Sequence, residues 1–244
     1  MAETLKLGNG IWATKENSLL SYNDENGNYK PLPFDFTRAS SATVVNKAGL
    51  IETVGTGIPR IDFLGNTNGS LLLEPQRTNN LLQSNQFDTT WSLSGATLTS
   101  GQIGVGGSND AWILEKNISN GRVFQNLTSS GIQTFSVYAK SGTNNWVSLL
   151  INGGGNPTAY FDLQNGVVGN ASGGVITSNI ESAGNGWYKI SITFNESITR
   201  TRIYVADSNG NTSQTSGNIY IQYAQLEAGS YPTSYIPTQG STVT

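Results

Sequence analysis

Apolar runs in this 244-residue chain extend for about five to eight residues before Gly, Ser, Thr or Asn interrupts them. Those four residue types make up roughly 45% of the sequence, about twice their average usage. Gly accepts positive φ, while Asn, Ser and Thr cap turns with their own side chains. Short apolar runs between so many turn formers specify short strands joined by loops, so the chain is expected to be all-β. Disorder is the competing reading of such a polar composition. Five Trp, ten Tyr and eight Phe argue against it, because they supply a large apolar surface to bury.

The same composition narrows the chemistry. The formal net charge is −3 and the sequence pI about 4.9, with no basic stripe, so no nucleic-acid partner is expected. No run reaches the roughly 18 apolar residues of a membrane span, and no basic segment followed by an apolar one opens the chain. Neither membrane insertion nor a secretory signal is therefore expected. Cysteine is absent, which removes disulfides, thiol nucleophiles and zinc–thiolate sites, and fits assembly in a bacterial cytoplasm. Histidine is absent too, and with it the commonest general base and every Ser-His or Cys-His nucleophile. The expectation is a protein with no cofactor, no metal and no enzymatic activity.

Two regions are expected. Residues 1–82 read as irregular with short β-hairpins. Asn26-Gly27 suits a tight hairpin turn, and Ala42–Val45 and Leu50–Val54 flank the Gly-containing loop Asn46–Gly49. Pro31 and Pro33 suggest extended chain between the two hairpins. Residues 83–244 offer eight strand candidates: Ala111–Leu114, Arg122–Asn126, Gln133–Lys140, Trp146–Ile151, Thr158–Leu163, Trp187–Phe194, Thr201–Val205 and Asn218–Leu226. Alternation is clear in Tyr188–Phe194, as for a strand with one buried face. Eight strands with long connections predict a jelly-roll β-sandwich.

Several ordered motifs have no catalytic rationale. They are Phe34-Asp35-Phe36-Thr37-Arg38-Ala39-Ser40-Ser41-Ala42-Thr43, Gly49-Leu50-Ile51-Glu52, Pro59-Arg60-Ile61-Asp62 and Leu72-Leu73-Glu74-Pro75-Gln76-Arg77-Thr78-Asn79. Near the end come Ile221–Gly229 and Tyr231-Pro232-Thr233-Ser234-Tyr235-Ile236-Pro237-Thr238. This series resembles the small fibre, spike and decoration proteins of tailed bacteriophages. The second region also resembles the jelly-roll carbohydrate-binding modules found beside glycoside hydrolases. Asn80–Asp88 with Trp91, Thr134–Lys140, Gly186–Lys189 and Asn218–Glu227 carry that likeness. Many such modules hold a structural calcium. Asp88 stands at one of the expected ligand positions, but Gln222 and Tyr223 replace the acidic pair of the last strand.

Candidate sites follow from residue type. A sugar ring's C–H face stacks on an exposed aromatic while nearby amides bond its hydroxyls. Trp146, preceded by Asn144 and Asn145, fits best, whereas Trp187 beside an alternating strand reads as core. Glu52, Asp62 and Glu74 lie near Arg38, Arg60 and Arg77 within the motifs. In a chain with only 12% charged residues, these six are expected to form salt bridges in a structural clamp or an inter-subunit contact. The loops Asp24–Asn28 and Asp207–Asn211 mimic calcium loops but lack a terminal Glu, so both read as hairpin turns.

The resemblance implies a virion structural protein: a head fibre, capsid decoration or tail-fibre component. Residues 1–82 would dock on other virion proteins or on sister chains of a homotrimer, and residues 83–244 would bind host-surface glycans weakly. A ligand-free decoration or assembly protein is the alternative, and a polysaccharide depolymerase the third reading.

Overall fold

The computed structural model describes residues 3–5, 12–15, 18–23, 26–31 and 36–244. Asp24, Glu25, Pro33, Phe34 and Asp35, named above, lie outside the described residues, as does the side chain of Trp12. The described chain is all-β and contains no helix. It divides into two compact units. One comprises residues 1–76, 233–236 and 244, and the other residues 77–232 and 237–243.

Among the described residues the first unit holds eight short strands: β1 Glu3–Leu5, β2 Trp12–Lys15, β3 Ser18–Asn23, β4 Tyr29–Pro31, β5 Ala42–Val45, β6 Ile51–Val54, β7 Ile61–Asp62 and β8 Ser70–Leu73. They form three small sheets, ordered β1-β8-β7, β2-β3-β4 and β5-β6. Both expected hairpins are present. The β3–β4 turn has Gly27 at φ 81°, in the left-handed region that favours glycine. In the β5–β6 loop the Asn46 carboxamide oxygen accepts the N–H groups of Ala48 (2.9 Å) and Leu50 (3.0 Å), which is how Asn shapes a turn.

The second unit holds β9 Ser92–Ser94, β10 Ala96–Gln102, β11 Ala111–Lys116, β12 Arg122–Ser129, β13 Ile132–Ser141, β14 Trp146–Gly153, β15 Thr158–Asp162, β16 Val167–Ser172, β17 Val175–Gly184, β18 Trp187–Asn195, β19 Ile198–Ala206 and β20 Asn218–Ala228. Two six-stranded antiparallel sheets, β10-β11-β20-β13-β18-β17 and β16-β15-β14-β19-β12-β9, form a sandwich. Phe135, Val137, Leu149, Phe161, Ile192 and Phe194 are fully buried between them. Burying such side chains is worth roughly 1.5–3 kcal/mol each and is the main drive for the fold.

The eight strand candidates read from the sequence are the eight inner strands. The four strands it did not suggest, β9, β10, β16 and β17, are the four sheet edges. One further difference concerns β18. Its outward residues Ser191 and Thr193 are buried as well, at 4% and 2% exposure, although alternation suggests a wet face. Residues after β20 run across this face, where the Thr134 hydroxyl meets that of Thr193 (2.8 Å) and bonds the Gly229 carbonyl (2.9 Å).

Candidate functional site

Alternation along β12, β14, β15 and β19 sends Val123, Val147, Leu149, Phe161, Ile203 and Val205 into the core. The intervening residues therefore share the opposite face of the second sheet. Pairing register aligns them in cross-strand rows. Tyr160, Ser148, Tyr204 and Arg122 form one row; Thr158, Leu150, Arg202 and Phe124 the next; Asn152, Arg200 and Asn126 a third. The face thus combines aromatic rings, amides and three arginines.

The arginines are held in place by the neighbouring rings and amides. The Arg122 guanidinium carbon lies 5.4 Å from the Tyr204 ring centroid, and that of Arg200 lies 4.5 Å from the Phe124 centroid. Such cation–π contacts contribute about 0.5–2 kcal/mol each, according to how far they are desolvated. Arg200 Nε donates to Asn126 Oδ1 at 2.6 Å. Arg202 donates to the Tyr204 hydroxyl (3.2 Å) and to Asn152 Oδ1 (2.8 Å). Burial, and then the neighbouring Tyr204, raise the Tyr160 phenol above its usual value, against a hydrogen bond with Ser148 that lowers it. Tyr160 therefore stays a neutral donor at physiological pH.

No carboxylate occupies these three rows. Arg60–Glu74, Arg77–Glu227 and Lys116–Asp207 form ion pairs, and among the described residues none involves a face arginine. Asp162, opposite Trp146, instead accepts the N–H groups of Gln164 (2.9 Å) and Asn165 (3.2 Å) in its own turn. Sequence reasoning did not single out this face. The signal was available as the alternation Arg200-x-Arg202-x-Tyr204 facing Arg122-x-Phe124-x-Asn126, but only the register brings the two together.

The residues that were singled out separate into distinct roles. Trp91 and Trp187 are buried, at 6% and 1% exposure. Trp146 is half-buried and lies outside the core, at the corner of the arginine face. Gly169 of β16 approaches it so closely that a Cβ there would meet the indole Cζ3 at 2.7 Å. Asn144 and Asn145 point their amides elsewhere. Asn144 donates to the Ala206 carbonyl (2.9 Å), and Asn145 to Gln164 Oε1 (2.7 Å). Both tie loops together beside Trp146. The Asp207–Asn211 loop is a tight turn with Gly210 at φ 81°, and Asp207 forms a fully enclosed ion pair with Lys116.

Of the six motif residues, Arg60 and Glu74 form a buried pair at 2.6 Å. Ser234 completes it: Arg60 donates to Ser234 Oγ at 2.6 Å, and the Ser234 N–H donates to Glu74 Oε1 at 2.9 Å. Arg77 lies 3.9 Å from buried Glu227 and 5.6 Å from the Tyr231 ring centroid. Arg38 donates to the carbonyls of Val54 (3.3 Å), Gly55 (2.7 Å) and Ile58 (3.0 Å), closing the loop after β6. Asp62 accepts the backbone N–H groups of Val45 (2.7 Å) and Leu64 (3.1 Å). Burial raises its carboxyl above the ordinary value, opposed by those two bonds. Glu52 is exposed and accepts from the Asn46 amide at 3.0 Å. Arg38, Asp62 and Glu52 thus shape loops through the backbone and an amide, where the sequence suggested arginine–carboxylate pairs.

The residues do not fit the calcium that the sequence resemblance implies. Asp88 is exposed. Asp110 is the carboxylate beside Gln222 and Tyr223, and side-chain donors fill it. Gln222 Nε2 donates to Oδ1 at 2.7 Å, and the Tyr223 hydroxyl and Asn85 Nδ2 reach Oδ2 at 3.0 and 3.4 Å. A bulge in β20 puts Tyr223 at φ 53°, a conformation that costs a non-glycine residue about 1–3 kcal/mol. Among the described residues no three His, Cys, Asp or Glu group together as metal ligands would.

No family model matches the chain. No curated protein matches it either. Among solved structures, the enzymatically active domain of tailspike protein 4 from bacteriophage CBA120 is 18% identical. It matches 61% of this chain and 21% of its own length, with a TM-score of 0.35. A Bacteroides thetaiotaomicron protein described as sugar-binding is 14% identical over 62% of this chain and 100% of its own, with a TM-score of 0.36. A carbohydrate-binding module of Cellvibrio mixtus lichenase 5A, solved with cellotriose, is 14% identical over 62% of this chain and 96% of its own, with a TM-score of 0.32.

Proposed function

We propose that this chain is a structural protein of a tailed-phage virion whose sandwich binds glycans on the outward face of its second sheet. The observation that carries the glycan reading is that face itself. It sets the half-buried rings of Tyr160 and Trp146 among fixed amides (Asn126 and Asn152) and arginine donors, the mix of apolar wall and placed polar groups that sugars require. The ordered motifs support the virion reading. Arg60, Glu74 and Ser234 form a clamp that ties three of the motifs together. Binding is weak per site and gains strength from many copies, as in a fibre or decorated capsid. Phe36, Ile61 and Phe63 of the first unit are only half-buried, and packing against sister chains of a homotrimer would cover them. The activity is read as binding without cleavage: Asp110, Asp162, Asp207 and Glu227 are committed to fixed donors, and the exposed Asp88, Glu115 and Glu181 lie outside the three rows of the face.

A glycan array with the intact protein tests this reading. Retention on defined glycans without release of reducing ends is the expected result. Reducing-end release would make the protein a depolymerase, and a blank array would leave it a ligand-free structural component.

A further inference from the structure

We infer that the outward face of the second sheet takes acidic polysaccharide, with Arg122, Arg200 and Arg202 gripping carboxylates carried on the sugar rings. This inference rests on the glycan-binding reading and names the substrate class of the same face. The chain is acidic overall, with a net charge of −3, yet three of its thirteen Lys and Arg occupy neighbouring positions on two adjacent strands. Adjacent strands lie about 4.8 Å apart, and alternate residues about 6.7 Å apart along a strand. The three guanidinium groups therefore reinforce one another's field. Like charges this close repel one another, and no carboxylate of the described residues pairs with them. A polyanion seated on the face supplies the missing charge.

The donors are also prepared. Stacking on Tyr204 and Phe124 fixes Arg122 and Arg200, and bonds to Tyr204 and Asn152 fix Arg202, so little side-chain freedom is lost when an anion binds. The Nε atoms of Arg122 and Arg202 are shielded from water and unpartnered. Each guanidinium carries five N–H donors in a fork that matches a carboxylate, and only one or two per arginine are used within the fold.

Two features select sugar acids over other polyanions. Single-stranded nucleic acid binds by stacking its bases on open aromatic faces, but guanidinium groups already lie over Phe124 and Tyr204. A phosphate–polyol chain presents little apolar surface. Leu150 and Tyr160 sit within and beside the arginine rows, where the C–H face of a pyranose would rest.

The test titrates the intact protein with polygalacturonate, polymannuronate, hyaluronan and polysialate, each beside its carboxyl-reduced neutral counterpart and beside single-stranded DNA. At least one acidic polymer is expected to bind about tenfold or more tighter than its reduced form, the scale of one charged hydrogen bond. That preference should shrink as salt rises. Arg200→Gln with Arg202→Gln should bring the ratio of acidic-form to reduced-form affinity down towards one, with the acidic form losing much more affinity than the reduced form. If that variant unfolds, Arg200→Lys with Arg202→Lys serves instead, expected to keep the salt dependence and lose part of the affinity. Equal affinity for acidic and reduced forms overturns the inference while leaving the glycan reading intact. Binding to neither form across the panel overturns both. Tighter binding to DNA, or salt-dependent self-association abolished by the same variant, assigns the face to another occupant.

Discussion

Replacing Arg60 by Met tests whether the ordered motifs form a structural clamp. The Arg60 and Glu74 side chains are 8% and 6% exposed. Removing the cation leaves Glu74 buried with only the Ser234 N–H and hydroxyl as donors. Breaking a buried pair costs about 3–5 kcal/mol. The two surviving donors, worth about 1.5–3 kcal/mol each to a charged acceptor, place Arg60→Met near the lower end of that range. Glu74→Gln should cost more. Burial and then the nearby Arg60 charge lower the Arg38 guanidinium from its usual value, and without Glu74 the Arg60 charge stands uncompensated beside it. The double variant removes the buried charge along with the pair, so it should recover most of the loss, with a coupling of about 2 kcal/mol or more. Native-state hydrogen exchange is the assay. The Leu72 amide, bonded to the Arg60 carbonyl at 2.8 Å, and the Ser234 amide report the clamp directly. A loss of about 3 kcal/mol raises their exchange roughly a hundredfold. A change below about threefold, or single-variant effects that merely add, would refute the clamp.

Trp187→Ala should destabilise the sandwich by about 3–5 kcal/mol in urea unfolding, and Trp146→Ala by less than half as much, because Trp187 is 1% exposed and Trp146 stands outside the core. Equal losses would return Trp146 to the core. Chelation of divalent cations should leave the unfolding temperature unchanged, since Asp110 is satisfied by Gln222, Tyr223 and Asn85. Calcium at a hundredfold excess over a real site's Kd would add about 2.7 kcal/mol, or a rise of about 5 °C or more, and such a rise would overturn that assignment. Burial raises the Asp62 carboxyl above its unfolded value, so the native state holds the proton more tightly. Its contribution is therefore full below the ordinary value near 3.8 and is lost as pH rises through the folded value. The stability of the native protein relative to Asp62→Asn should accordingly grow on acidification, as read by urea midpoints, and the opposite slope would refute the sign.

The inner strands β11 to β15 and β18 to β20 were legible in the sequence because each buries at least one face, which forces an apolar pattern at strand period. The edge strands β9, β10, β16 and β17 were not. Val175–Gly184 and Ala96–Gln102 lie mostly in water, and a strand wet on both faces has no pattern to show. Hairpin turns were equally local, since Asn26-Gly27 and Asn46–Gly49 carry their own geometry. Charge pairing was not local. Glu74 met Arg60 as the sequence suggested, but its other partner, Ser234, lies 160 residues away, and Lys116 found Asp207 inside what read as a simple turn. Arg38 and Asp62 turned to backbone groups that no residue type announces. The arginine face shows the limit most plainly. Alternation within β12 and β19 sets which residues point outward, but only the register stacks Arg122 on Tyr204 and Arg200 on Phe124. Periodicity is a property of one strand and survives in the sequence. A site made across strands depends on how loops of unrelated length set the register, and that is decided only when the sheet closes.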